Sequence, residues 1–128
     1  GCDTGLGVEF ARQYAADGHR VFATCLDPSR AAETAAIRGD IELVRLDVTD
    51  HAAIEALSQR LSGEAIDVFL NNAAIGNPHP PFGKTDYAHW RKILETNLIG
   101  PMKMAESLVE HVARSELKNM AFVSSRMG

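Results

Sequence analysis

The sequence predicts an α/β fold, a doubly wound parallel sheet with helices on both faces, in which the first strand and the last strands are missing. Two observations predict it. Short apolar runs alternate with amphipathic stretches of helical period, the pattern of repeated βα units. A turn with glycines at positions 1, 5 and 7 stands directly before the first helical stretch. The chain has 128 residues, 45% apolar and 23% charged, enough for one core and one partial domain over 1–128.

The elements follow in order. Residues 6–17 read as a helix whose apolar stripe is Leu6, Phe10, Tyr14 and the alanines between them, ended by Gly18. Arg20 to Cys25 reads as a buried strand. Pro28, following Asp27, opens a second helix through about Ile37, closed by Gly39. Ile41 to Leu46 is the next strand. Thr49 or Asp50 caps a helix to about Leu61, with Ala53, Ile54, Leu57 and Leu61 on one face. Ile66 to Asn71 is a strand, and the proline- and glycine-rich residues 75–84 are a loop. Tyr87 to Leu94 is helical. A long helix from Leu98 to Ala113 carries Leu98, Met102, Ala105, Leu108, Val109 and Val112 at helical spacing. Met120 to Ser124 is the last strand.

Several function classes fall away on composition. The net charge is −4 and the cations are scattered, so no basic face for nucleic acid or anionic lipid is predicted. No apolar run is long enough to span a membrane, and the expected location is cytoplasmic. Cys2 and Cys25 read as reduced, partly buried thiols. His19, His51, His79, His89 and His111 lie in different elements without ligand spacing, so no metal site is expected and all five read as surface or loop residues. Phe82 and Trp90 read as packing residues rather than a stacking platform.

The chemistry begins in Gly1-Cys-Asp-Thr-Gly5-Leu-Gly7. One glycine permits a tight turn, one lets a pyrophosphate approach the backbone, and one packs the helix on the sheet. The helix N-terminus offers free N–H groups and partial positive charge to phosphate. The fold is thus a Rossmann-type nucleotide-binding one. The spacing is G-x-x-x-G-x-G, and in this form it resembles the first turn of the short-chain dehydrogenases/reductases. Four further segments resemble that family in the same order: Leu46-Asp47-Val48, Asn71-Asn72-Ala73-Ala74, Asn97-Leu-Ile-Gly100 and Val123-Ser-Ser125. Within the family, Ser124-Ser-Arg-Met-Gly128 and the Phe10–Tyr14 helix look like the C-factor-like group. The opening turn and Ala23-Thr-Cys-Leu26 look like the retinol and hydroxysteroid dehydrogenase group.

The resemblance implies a set of roles. Gly1, Asp3, Thr4, Gly5, Leu6 and Gly7 form the cofactor turn, with Leu26 at the next strand end. Asp47 sets its carboxylate against the adenine amino group and Val48 flanks the ring; read from the residues alone, Asp47 caps the helix near Thr49 instead. Asn72, Ala73 and Ala74 back the cofactor. Ala74 stands where the family has glycine, so its φ must be negative. Asn97 breaks two helices apart, and its main-chain carbonyl holds a water of the proton relay. Ser125 hydrogen-bonds the substrate oxygen as hydride moves.

The cofactor expected is NAD, with NADP as the alternative. Cys25, Leu26 and Thr4 carry no cation for a 2′-phosphate, while Asp3 adds an acid near the adenosine ribose and Asp27 a second. The partner is a small alcohol or carbonyl substrate. The complete protein is expected to be a homodimer or homotetramer, because the helix 98–113 resembles the one the family uses for assembly; read from the residues alone, its apolar stripe serves equally as ordinary core. The family site also needs a Tyr and a Lys at Y-x-x-x-K spacing after the serine. The tyrosines here, Tyr14 and Tyr87, lie in earlier helices, so this segment alone is expected to be inactive. The alternative function is a non-catalytic dinucleotide-binding or C-factor-like signalling protein.

Overall fold

The structure is a computed structural model and describes residues 1–76 and 80–125. It divides into two compact units, Gly1–Asp47 and Val48–Gly128. Each is built of helices and a pair of parallel strands, so the predicted α/β class with parallel strands holds.

In the first unit, α1 (Leu6–Ala16) leads to β1 (Val21–Cys25). A 3₁₀ turn (Pro28–Arg30) and the short α2 (Ala32–Ala35) then lead to β2 (Ile41–Arg45). β1 and β2 pair in parallel from Val21 opposite Ile41 to Cys25 opposite Arg45. The second helix is therefore broken where the sequence suggested one run from Pro28 to Ile37. Asp27 explains the break: its carboxylate accepts the Ser29 N–H at 3.0 Å and holds a separate capped turn, with Pro28 as its first residue. The buried face of α1 also differs from the expected stripe. Gly7, Val8, Ala11 and Ala15 are buried, whereas Leu6 is exposed and Phe10 and Tyr14 are half-buried. Small residues let the helix lie close to its neighbours, and the larger ones stay at the rim.

In the second unit, α3 (His51–Arg60) precedes β3 (Val68–Asn71). α4 (Tyr87–Leu94), a π-helical segment (Glu95–Ile99) and α5 (Gly100–Ala113) then run on to β4 (Asn119–Phe122). β3 and β4 pair in parallel, Val68 opposite Asn119 through Asn71 opposite Phe122. Of the two caps offered for α3, Asp50 is the one used: its carboxylate accepts the Ala53 N–H at 3.0 Å. Ile54, Leu57 and Leu61 face the core as expected. Asp86 caps α4 the same way, through the N–H groups of Ala88 and His89.

α5 corrects the expected stripe. Its buried line is Pro101, Met104, Leu108, His111 and Val112, while Leu98, Met102 and Val109 are exposed. Both lines have helical period, so spacing cannot choose between them. His111 is accordingly a buried residue and not a surface histidine. Its Nε2 lies 3.0 Å from Ser58 Oγ, and the Ser58 hydroxyl donates to the Ser107 carbonyl at 2.7 Å. The serine's one proton is thus used, so Nε2 carries the ring proton and donates to Ser58. Nδ1 lies 3.1 Å from the Arg114 guanidinium and 3.4 Å from the Glu64 carbonyl. Phe82 and Trp90, expected to pack, are exposed. Trp90 instead meets Tyr87 edge-on on the outer face of α4, with ring centroids 6.2 Å apart. His79 lies outside the described residues.

Among the described residues no helix is long and apolar enough to cross a membrane, and no cluster of His, Cys, Asp and Glu has the makings of a metal site.

Candidate functional site

The glycine turn is held from three sides within the first unit. The Cys2 N–H donates to the Thr24 carbonyl at 2.8 Å. The hydroxyl of Thr34, a fully buried residue of α2, donates to the Cys2 carbonyl. The Asp3 carboxylate accepts the Leu26 N–H, just beyond β1, at 3.1 Å. The turn is thus held by contacts within the chain itself. Thr34 was not foreseen, because nothing in its local sequence tells a helical threonine that it will meet a carbonyl 32 residues away.

The turn leads to Gly5, which stands at the N-cap of α1 with φ 64°. That backbone conformation suits glycine and strains other residues. A Cβ placed there would meet nothing within 4 Å, and no side chain caps the helix. No side chain therefore caps the first-turn N–H groups, where the helix dipole is positive. This arrangement fits a pyrophosphate.

Leu26 is exposed and Cys25 is buried, so neither offers charge at the strand end. Burial pushes the Cys25 thiol up, and the Asp3 carboxylate adds to the effect. Burial likewise raises Cys2. Both thiols are free, Cys2 half-buried and Cys25 buried. Asp27 spends its carboxylate on Ser29, whose hydrogen bonds hold it below the usual carboxylate range. Asp47 is exposed and does not cap α3, a task that falls to Asp50.

The second unit brings Asn97 against the loop after β3. The Asn97 amide donates to the Ile75 carbonyl at 2.9 Å, and its oxygen accepts the Ile75 N–H at 2.9 Å. This two-way clamp fixes the end of the Asn72-Ala73-Ala74 segment. Asn97 was expected to break two helices apart. It lies instead inside the π segment, and the helical run continues through it: the Gly100 N–H reaches back five residues to the Glu95 carbonyl. The wider turn is what presents the Asn97 amide to a strand-end loop.

Gly100 closes the segment, and the absence of a side chain there is required. A Cβ would lie 2.6 Å from the Val48 carbonyl oxygen and 3.2 Å from Val48 Cβ. Val48 is buried in this contact. Ala74 meets its condition, since Lys118 is the one non-glycine residue with positive φ among those described. Asn72 and Ala73 are half-buried, and Ser125 is exposed just beyond β4. Neither Ile75 nor Gly100 had been singled out as supporting Asn97. The asparagine and glycine three residues apart were the available signal.

The sequence profile of the short chain dehydrogenase family matches residues 1–128. The chain belongs to that family. The chain is 35% identical to a galactitol 2-dehydrogenase of Agrobacterium fabrum (strain C58), over 100% of this chain and 52% of the relative. It is 34% identical to retinol dehydrogenase 16 of Mus musculus, over 99% of this chain and 42% of the relative. The chain thus spans about half the length of the curated relatives it matches. Its fold resembles a putative short-chain dehydrogenase/reductase from Burkholderia multivorans with bound NADP. The TM-score is 0.80 at 26% identity, covering 98% of this chain and 56% of that one. Nicotinamide dinucleotides are the cofactors of this family. Of the two subgroup resemblances, the retinol dehydrogenase one agrees with a relative found here. The Arg126-Met127-Gly128 part of the C-factor-like motif lies outside the described residues.

Proposed function

We propose that the complete protein is an oxidoreductase that moves hydride between NAD(H) and a small alcohol or carbonyl substrate. The observation that carries this is the glycine turn: a positive-φ glycine at the uncapped N-terminus of α1, held from three sides. The bound nicotinamide would supply the hydride chemistry. The residues of this chain have separate tasks. Gly5, Leu6 and Gly7 would receive the pyrophosphate on backbone N–H groups, with Gly1 and Thr4 shaping the same turn. Asp47 and Val48 would border the adenine, and Asn72, Ala73 and Ala74 the nicotinamide ribose. Ser125 would hydrogen-bond the substrate oxygen, and the Asn97 main chain would hold a relay water. The acid/base Tyr and its Lys would come from sequence outside these residues.

NAD is favoured over NADP because Thr4, Cys25 and Leu26 offer no cation to a 2′-phosphate. A cytoplasmic location and assembly into a homodimer or homotetramer complete the reading. Assembly is supported by the exposed line of Trp90, Leu94, Leu98, Met102 and Val109 along α4 and α5. A monomer by light scattering would refute that part.

The test is an assay of the full-length protein, following nicotinamide absorbance with NAD⁺ and a panel of polyols, secondary alcohols and retinoids. Turnover of any panel member, lowered about 10²–10³-fold by Ser125→Ala, is expected. Full-length protein that binds neither NADH nor NADPH would overturn the reading.

A further inference from the structure

In nucleotide-binding folds of this kind, the residue that reads the adenosine ribose sits about 20 residues beyond the glycine turn, where the second strand ends. An acid there accepts the ribose 2′-hydroxyl and repels a 2′-phosphate. Here that place is the exit of β1, at Cys25, Leu26 and Asp27. Cys25 is buried and Leu26 is apolar. Asp27 is the acid that spacing would nominate, yet its Oδ1 takes both the N–H and the hydroxyl of Ser29, at 3.0 and 2.7 Å, as the cap of the turn 28–30. A carboxylate does stand at the strand exit, but it comes from the other side of the site. Asp3, in the glycine turn, accepts the N–H of Leu26 at 3.1 Å.

We propose that Asp3 is the residue that selects the cofactor, in place of an acid on the strand end itself. The proposal rests on the NAD reading above and assigns it to one side chain. Two effects act together. The Leu26 N–H, a backbone donor that a 2′-phosphate would otherwise seek at this exit, is already engaged. The group engaging it carries the same sign of charge as the phosphate, so a 2′-phosphate meets repulsion there. A ribose 2′-hydroxyl is itself a donor and suits a carboxylate. The same hydrogen bond ties the glycine turn to the strand exit, so the pyrophosphate turn and the ribose reader are one connected piece.

The experiment measures dissociation constants of NADH and NADPH for the full-length protein by nucleotide fluorescence, with Asp3→Asn and Asp27→Asn beside the parent. Asparagine keeps an oxygen for the Leu26 N–H and removes the charge. Asp3→Asn is expected to shift the preference toward NADPH by about ten-fold, as NADPH loses one close like charge and NADH loses the carboxylate acceptor of its ribose hydroxyl. Asp27→Asn is expected to shift the NADPH to NADH ratio by less than about three-fold. If Asp3→Asn weakens both nucleotides equally, Asp3 only positions the turn and the proposal fails. It fails also if neither constant moves, or if Asp27→Asn makes the larger shift. A parent protein that binds NADPH more tightly refutes the NAD reading by itself. The shift between parent and Asp3→Asn still decides the role of Asp3. If Asp3→Asn lowers the thermal midpoint, Asp3→Ser supplies a hydroxyl acceptor without charge, and the same criteria apply to it.

Discussion

Replacing Asn97 by alanine removes two hydrogen bonds at one stroke. Asn97 holds Ile75 through its carbonyl at 2.9 Å and its N–H at 2.9 Å. A net intramolecular hydrogen bond contributes about 1 kcal/mol, so the pair has a ceiling of about 2 kcal/mol. Asn97 is exposed, and water replaces part of what is lost, which brings the expected cost to about 1 kcal/mol. In a complete domain of about 150–250 residues that cost lowers the thermal midpoint by roughly 2–4 °C. The sharper readout is local. The Ile75 amide is protected by the Asn97 side-chain oxygen, so its hydrogen exchange in Asn97→Ala should speed up about five-fold, the equivalent of about 1 kcal/mol. Asn97→Asp separates the two bonds. It keeps an oxygen for the Ile75 N–H but turns a second oxygen, not a donor, toward the Ile75 carbonyl. Its Ile75 amide should stay protected while the midpoint falls. Full-length protein in which Asn97→Ala leaves Ile75 exchange at the parent rate would refute the clamp and, with it, the account of why a π segment occurs here.

Other perturbations test neighbouring parts. Gly100→Ala forces a Cβ toward the Val48 carbonyl at 2.6 Å, a backbone contact that cannot rotate away. A loss of about 1–3 kcal/mol is expected in chemical denaturation, and an unchanged midpoint would refute the close approach. Asp50→Ala should cost about 1 kcal/mol by removing the cap on Ala53, read by the same denaturation. The Asp86 carboxyl is held below its ordinary value by the His89 N–H and then by that of Ala88. Its folded pKa is depressed, so its contribution is present above the unfolded pKa and lost as pH falls through the folded one, below about pH 4. Asp86→Asn should therefore flatten the acid side of the stability profile, and an unchanged acid slope would contradict the cap.

The order of elements was legible in the sequence because strand and helix periods differ and glycine, proline and capping residues punctuate them. α4 begins and ends where its pattern does. The family was legible because each of its motifs is local. What stayed hidden depends on partners far along the chain. Two apolar lines run down α5, and only the packing decides that Met104 and Leu108 turn inward while Met102 and Val109 face out. His111 gave no sign of burial, since Ser58, which takes its proton, lies on another helix. Asp27 looked like a ribose acid, and Ser29, two residues on, diverts it. Thr34 and Ile75 hold site residues through backbone atoms, and backbone partners leave no trace in residue identity.

The π segment makes the length of the run 87–113 a counted quantity. A π turn amounts to one residue more than an α-helix needs, so deleting any one residue from Glu95 to Ile99 would let the run relax to plain α-helix. The π turn takes up its extra residue locally, so the helical faces on either side would keep nearly their present directions and the bulge alone would close. Asn97, which that bulge presents to Ile75, would then lose its clamp. An insertion or deletion that the loop 80–86 could absorb is therefore one that this stretch cannot, although both lie on the surface. Related sequences aligned here should keep the spacing between the asparagine and the glycine even where the loop before α4 changes length.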